Sequence, residues 1–209
     1  MRRLRWIQFI ALLAMPIAAV AQIGSGHSGF STEQTYTGRM AFDDLNAFGE
    51  CFATKQTDDA LKLVGTDAGS VDEARVYKAL FSKEQFCLGD LSGLGVPWKF
   101  VRGAIAEGLY KRKVSLPASF AANHSMTREK VQSVMDAAIC YANAHPAEAR
   151  ALVETTRPGT KQEAAAVAAM EADFVACLPA NIPQQVQIDT ILLRYRIAEA
   201  LWRLGLVHS

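Results

Sequence analysis

The amino-acid sequence predicts an all-α protein built from an internally duplicated helical unit, with about four helices and one disulfide in each copy. Apolar residues recur at intervals of three and four, and no segment alternates apolar and polar residues as a half-buried strand would. The segments RGAIAEGLYKR at 102–112 and RYRIAEALWRL at 194–204 are nearly the same. Four cysteines fall at matching places in the two halves, which extends the duplication beyond this segment.

The duplication covers most of the chain. Placing Cys51 on Cys140 also matches apolar residues in the segments that follow. One inserted residue later, Cys87-Leu88 falls on Cys177-Leu178, and two more inserted residues align the repeated 11-residue segments. Both gaps fall between helical patterns, where loops tolerate insertions, and this supports the alignment.

The first 21 residues have the features of a secretory signal peptide. Three arginines precede residue 6, residues 7–20 are apolar, and residues 19–21 read Ala-Val-Ala, which suits signal peptidase. The apolar run is short for a membrane span, and no comparable run follows it. We therefore expect residues 1–21 to be removed and the mature chain to be periplasmic, with no membrane span.

Charge limits the functions that the chain can have, and composition helps to divide it into segments. The mature chain would carry 19 basic and 21 acidic residues, a balance that argues against nucleic-acid binding and a polybasic membrane role. Residues 22–40 are rich in Gly and Ser and lack periodicity, so we expect a flexible leader. The first repeat is predicted at 41–113 and the second at 128–209, with 114–127 as the linker.

Each repeat is predicted to contain four helices. In the first repeat we expect them at 41–55, 58–65, 71–87 and 97–112. In the second repeat we expect them at 128–144, 146–156, 161–177 and 188–205.

The first two helices follow from apolar spacing and from proline. The first helix carries four apolar side chains at intervals of three and four and should bury one face: Phe42, Leu45, Phe48 and Phe52. The second helix of the second repeat begins at Pro146, and proline is tolerated in the first turn of a helix.

The third and fourth helices follow from capping patterns and apolar spacing. Ser70-x-x-Glu73 and Thr160-x-x-Glu163 are capping boxes that start the third helices. The fourth helix of the first repeat is expected to be one-sided, whereas 188–205 is apolar nearly all round and should be central. Gly103 and Gly108 stand where the second repeat has Tyr195 and Ala200. They weaken the helix by up to about 1 kcal/mol each, or permit another helix to approach closely.

The cysteines predict two disulfides. Their even number suits an oxidising compartment, and without a Cys-x-x-Cys pair neither zinc nor thioredoxin-like chemistry is favoured. The duplication favours Cys51–Cys87 and Cys140–Cys177, each worth roughly 4 kcal/mol in the chain-entropy account. The two pairings that cross between the repeats stay open alternatives.

Four charged residues repeat in the fourth helices and form a candidate polar cluster: Arg102, Glu107, Arg194 and Glu199. One interpretation pairs each glutamate with the basic residue four positions later, as a helix-surface ion pair. A second pairs Arg102 with Glu199 and Arg194 with Glu107 across a pseudo-twofold axis, as buried contacts that fix register. A third makes the two acids a catalytic pair, which would need a substrate cleft.

Aromatic residues also cluster on the fourth helices: Trp98, Phe100, Tyr110, Tyr195 and Trp202. We expect these side chains in the core, with a groove between the repeats that takes an apolar ligand or a partner helix as the alternative. The sequence contains no metal-ligand spacing, phosphate loop or nucleophile motif. We assign no catalytic, cofactor-binding or metal-binding residue.

With these motifs assembled, the chain resembles exported, alanine-rich bacterial helical proteins with a duplicated Cys…Cys-Leu…Arg-x-x-Ile-Ala-Glu-x-Leu pattern. Here that pattern runs from Cys51 through Cys87-Leu88 to Arg102-x-x-Ile105-Ala106-Glu107-x-Leu109 and then recurs. The resemblance covers roughly residues 45–204. It implies export and a bacterial context, and it carries over no activity, substrate or functional residue.

The leading functional hypothesis is a non-catalytic periplasmic binding or protein-interaction module, since the sequence has no reactive constellation. The expected partner is another envelope protein or an apolar small ligand, with no cofactor. One alternative is a periplasmic enzyme with a polar site at the junction of the two repeats, which requires an open cleft there. The other is a structural envelope protein tethered through residues 22–40.

Overall fold

The computed structural model describes residues 39–81, 87, 97–122, 126–179 and 189–206. Within these residues the chain forms eight α-helices and no strand, so the predicted all-α class is confirmed. The helices are α1 (Arg39–Lys55), α2 (Thr57–Val64), α3 (Val71–Phe81), α4 (Trp98–Lys111), α5 (Val134–Ala144), α6 (Pro146–Thr155), α7 (Lys161–Ala176) and α8 (Thr190–Arg203). The expected signal peptide, and the leader as far as residue 38, lie outside the described residues.

The third helix is described as Val71–Phe81; the remainder of its predicted span, 82–86, lies outside the described residues, and Cys87 lies in a turn. Among the described residues, one helix boundary differs from the prediction by more than two residues. The fifth helix begins at Val134 rather than at 128, because Ser133 and Asp136 form a capping box. Ser133 Oγ accepts the N–H of Asp136 at 3.1 Å, and the Asp136 carboxylate accepts the N–H of Ser133 at 2.9 Å. Residues 128–130 form a short 3₁₀ turn instead.

The two disulfides form within the repeats, and the pairings across the repeats do not occur. Cys51 bonds Cys87, and Cys140 bonds Cys177, with sequence separations of 36 and 37 residues. Each bond ties the first helix of a copy to the segment that follows its third helix. The two loop lengths differ by one residue, which agrees with the duplication and its one-residue insertion.

Helices α4 and α8 cross at the centre of the fold. They contact each other. Helices α1 and α2 pack on α4, whereas α5 and α6 pack on α8. The central position predicted for α8 is confirmed, since every residue from Leu192 to Trp202 is buried. The one-sided burial predicted for α4 is wrong, because every residue from Phe100 to Tyr110 is buried as well.

Glycines explain why α4 is buried all round. A Cβ at Gly108 would collide with the backbone of Gly49 in α1, and one at Gly49 would collide with the carbonyl of Ala104. A Cβ at Gly103 would collide with the ring of Tyr195 in α8. Gly49 and Gly108 therefore bring the backbones of α1 and α4 together, and Gly103 makes room for the Tyr195 side chain of α8, as the close-approach interpretation expected.

The linker between the repeats packs on the end of α8. Trp202 Nε1 donates to the carbonyl of Val114 at 3.0 Å, and the N–H of Ala122 donates to the carbonyl of Arg203 at 2.8 Å. The Phe120 ring lies 6.3 Å from that of Trp202. No helix within the described ranges is both long enough and apolar enough to cross a membrane.

Candidate functional site

The candidate polar cluster lies at the crossing of α4 and α8, and its arginines pair with glutamates of the other copy. Arg102 Nη2 lies 2.7 Å from Glu199 Oε1, and Arg102 Nε lies 3.1 Å from Glu199 Oε2. Arg194 forms the same bidentate pair with Glu107, through Nε and Nη2, with both contacts at 2.9 Å. At most 1% of the surface of any of these four residues is exposed. The crossed pairs are therefore mutual and completely buried.

Each arginine also closes the end of the second helix in its own copy. Arg102 donates to the carbonyls of Leu63 and Val64 at 2.9 and 2.8 Å. Arg194 donates to the carbonyls of Leu152 and Val153, both at 2.8 Å. These carbonyls stand at helix C-termini, where backbone acceptors lack partners within the helix and where positive charge is favoured.

The capping glutamates complete the network around each arginine. Glu73 lies 3.0 Å from Arg102 through one oxygen and accepts the N–H of Gly69 through the other. Glu163 accepts the N–H of Gly159 at 2.7 Å, but its other oxygen lies 3.6 Å from Arg194 and has no hydrogen bond. We name these clusters the Arg102 network and the Arg194 network.

The capping boxes predicted at the third helices are only half formed. Ser70 Oγ accepts the N–H of Glu73 at 3.0 Å, as predicted. The Glu73 carboxylate does not return to Ser70. It binds the preceding Gly69, whose φ of +82° is readily adopted by glycine. This turn leaves the second carboxylate oxygen facing the buried arginine.

The helix-surface interpretation of the repeated acids is wrong about their location. The pairs four positions apart do form, with Lys111 Nζ at 2.6 Å from Glu107 and Arg203 Nε at 2.9 Å from Glu199. However, both acids are buried, because α4 and α8 cross at these positions and cover them. Only the basic partners reach towards the surface, with 29% of the Lys111 side chain and 18% of the Arg203 side chain exposed.

The mutual contacts keep the main pairs charged. Burial alone would raise the pKa of Glu199, but Arg102, Arg203 and Arg196 hold that pKa well below its usual range. Burial would lower the pKa of Arg102, but Glu199 and Glu73 raise it above its ordinary value. By contrast, burial raises the pKa of Glu163 despite the opposing effects of the Gly159 N–H and Arg194.

Burial and saturation decide what these four residues can do. Both oxygens of each glutamate accept hydrogen bonds, and every nitrogen of both guanidiniums donates at least one. A general acid or base must reach its substrate directly or through one water. The junction is closed, so these side chains hold the two copies in register and present no acid–base pair to a substrate.

A cavity of about 680 Å³ lies beside the Arg102 network. Its walls come from the α2–α3 loop, the first turns of α4 and α5, and one face of α8. Apolar side chains form part of the lining: Trp98, Val134, Met135, Ile139 and Leu192. Charged side chains form another part: Asp67, Lys99, Asp136, Arg196 and Arg203. We name it the Arg196 cavity.

Arg196 is the buried cation of this cavity. Only 6% of the residue is exposed, and burial lowers the pKa of its guanidinium. Its one side-chain hydrogen bond within the described residues runs from Nη1 to Glu199 Oε2 at 3.3 Å. Arg102 already holds that carboxylate by two shorter contacts. Nε and Nη2 of Arg196 therefore have no hydrogen-bond partner among the described residues, and Arg196 lines the cavity.

The duplication shows what is unusual about Arg196. Aligning Arg102 with Arg194 places Arg196 on Ala104, which is buried and packed against α1. The Arg194 network pairs two cations, Arg194 and Lys111, with two acids. The Arg102 network sets three cations against two acids, and the additional cation is Arg196.

The aromatic residues divide between the core and the cavity. Phe100, Tyr110, Tyr195 and Trp202 are at most 3% exposed, as the core interpretation predicted. Trp98 is half-buried and lines the Arg196 cavity instead. The cavity has walls from both copies, as the groove alternative expected, and its occupant stays a prediction.

Sequence reasoning missed three members of this region. Glu73 and Glu163 repeat in both copies, but the capping-box pattern already explained them. Arg196 stands where the first copy has Ala104, and this exchange of a small residue for a cation was the available signal. Among the described residues, no group of three His, Cys, Asp or Glu side chains could hold a metal ion.

Comparison with known proteins adds no assignment. No protein-family model, curated protein or solved structure matches the chain.

Proposed function

We propose that the protein is a non-catalytic binding module of the bacterial periplasm, with the Arg196 cavity as its ligand site. The observation that carries the proposal is a buried guanidinium with unused donors at the wall of a cavity of about 680 Å³. That volume lies within the usual range for sites of small molecules, which combine apolar walls with a few polar groups.

The rest of the molecule supports a rigid scaffold around this cavity. The crossed ion pairs join α4 to α8, and the two disulfides tie α1 and α5 to the segments that follow α3 and α7. Helix α8 contributes Leu192, Arg196 and Arg203 to the cavity. Disulfides fit an oxidising compartment outside the cytoplasm. The sequence features of residues 1–21 and the resemblance to exported bacterial proteins support the periplasm as that compartment.

The enzyme alternative loses its proposed site, since the polar junction of the repeats is closed. Among the described lining residues of the cavity, the Ser133 hydroxyl donates to the Asp136 carboxylate at 2.9 Å, but both side chains form the cap of α5, where Ser133 also accepts the N–H of Asp136. Binding therefore accounts for this geometry with fewer requirements than catalysis does.

Native mass spectrometry of the protein purified gently from its own cells tests the proposal. We expect the wild-type chain to retain a small molecule and the cavity-filling variant Met135→Trp to lose it. Circular dichroism checks that the variant stays folded. Equal retention by both proteins would place binding elsewhere. A bare wild-type chain that no cell extract stabilises against heat would contradict the proposal, and a retained protein would favour an interaction module.

A further inference from the structure

We infer that the Arg196 cavity binds a small monocarboxylate with an apolar body, whose carboxylate pairs with the Arg196 guanidinium. This inference rests on the proposed binding function and names the chemistry of the ligand. It depends on the charge balance at the crossing of α4 and α8, the spare donors of Arg196, and the apolar part of the cavity lining.

The first step is the charge balance. In the Arg102 network the acids Glu73 and Glu199 face three cations, Arg102, Arg196 and Arg203. Buried charges are costly unless they are compensated, and the corresponding network of the other copy is balanced. One monoanion beside Arg196 would neutralise the excess, whereas a dianion would reverse it.

The acidic residues of the cavity wall do not remove this excess. Asp67 is exposed, so solvent screens its charge. Asp136 accepts three hydrogen bonds from Gln132 and Ser133 as part of the cap of α5. Lys99, whose Nζ lies 5.5 Å from the centre of the Phe100 ring, is partly exposed, so solvent screens its charge as well.

The second step is the geometry of the spare donors. Nη1 of Arg196 faces Glu199, which leaves Nε and Nη2. These two nitrogens form the side of a guanidinium that binds a carboxylate with two parallel hydrogen bonds, as Arg102 and Arg194 do here with Glu199 and Glu107.

The third step is the room around Arg196. Copy one has Gly49 and Gly108 where α1 and α4 meet, and the aligned positions of copy two are Ala138 and Ala200. Helix α5 packs less extensively on α8 than α1 does on α4. The cavity is lined on this side by Met135 and Ile139 of α5 and Leu192 of α8, and these apolar side chains can accommodate a hydrocarbon body.

Isothermal titration calorimetry of the full chain, with both disulfides intact, tests the inference. The probes are acetate, hexanoate and phenylacetate, together with hexanamide and phenylacetamide as neutral counterparts and phenyl phosphate as a dianion. We expect hexanoate or phenylacetate to bind at least tenfold more tightly than the corresponding amide. The same carboxylate should also bind at least tenfold more tightly than acetate and than phenyl phosphate. We expect Arg196→Met to weaken that carboxylate about tenfold to a hundredfold and Arg196→Lys to weaken it less.

The matched control is Arg75→Met, which removes an exposed arginine paired with Asp72 and should leave every affinity unchanged. Equal affinities for a carboxylate and its amide, or equal carboxylate affinities of Arg196→Met and the wild type, would overturn the inference. The cavity would then still be a binding site, but not one that recognises a carboxylate. Tighter binding of phenyl phosphate would overturn the choice of a monoanion. If no carboxylate binds although native mass spectrometry finds a ligand that Met135→Trp loses, the inference fails and the proposed function stands. If neither experiment detects a ligand, both fail.

Discussion

Two buried arginines of the Arg102 network, Arg102 and Arg196, should differ in their effect on stability. Replacement by methionine should lower the free energy of unfolding at Arg102 but not at Arg196. Arg102→Met removes the bidentate contact to Glu199, the contact to Glu73 and the donors to the C-terminus of α2. Breaking a buried pair from one side costs about 3–5 kcal/mol. Arg196→Met removes one contact of 3.3 Å and an uncompensated charge, while Glu199 keeps Arg102 and Arg203. We expect this variant to be as stable as the wild type or more stable.

Urea unfolding followed by circular dichroism at pH 7 measures both effects. With a slope of about 2 kcal/mol per molar urea, Arg102→Met should lower the midpoint by about 2 M, and Arg196→Met should not lower it. If Arg102→Met does not fold, Thr66→Val removes only the hydroxyl that accepts from Arg102 and should cost about 1–3 kcal/mol. Equal losses in the two methionine variants would refute the reasoning, because Arg196 would then be a structural residue like Arg102.

Three further changes test the packing, the acid response and the disulfides. Gly108→Ala should lower the free energy of unfolding by about 1–3 kcal/mol, because the added Cβ collides with α1. The matched change Ala200→Gly should cost only about 1 kcal/mol. A thermal midpoint of Gly108→Ala above that of the wild type would contradict the close contact. The pKa of Glu199 lies well below its ordinary value in the folded state, so its contribution to the free energy of unfolding should be complete above about pH 4.3 and decline as the pH falls further. Between pH 7 and pH 2 the urea midpoint should therefore fall less steeply in Glu199→Gln than in the wild type. Parallel curves would show that Glu199 does not cause the acid response. The double variant Cys51→Ser/Cys87→Ser should lose about 4 kcal/mol in the same assay, and an unchanged midpoint would show that this loop contributes nothing.

The repeated residues made much of the fold predictable. The cysteines and the charged residues of the fourth helices recur, so the matched cysteines favoured the observed disulfide pairing over the two pairings across the repeats. The recurrence of Arg102 as Arg194 suggested the crossed ion pairs as one interpretation. The burial of those pairs could not be read from their spacing. A glutamate four residues before a lysine looks the same on a surface helix as it does where two helices cross.

Some residues were obscured because a local pattern explained them. Glu73 fits a capping box, so nothing in its neighbourhood pointed to a contact with Arg102, 29 residues away. The start of α5 was missed because the predicted helix began at 128, ahead of the capping box of Ser133 and Asp136 that sets the observed start. Local signals of this kind compete, and tertiary contacts decide among them.

Arg196 shows why a departure from the repeat is informative. At the aligned position Ala104 fills a tightly packed contact at no electrostatic cost, so the architecture does not require a cation there. A buried and incompletely paired guanidinium costs several kcal/mol in a protein whose net stability is about 5–15 kcal/mol. Glu199 does not require it either, because Arg102 and Arg203 already bind that carboxylate. A costly residue that the fold can omit, placed at the wall of a cavity, is best explained by a ligand that pairs with it.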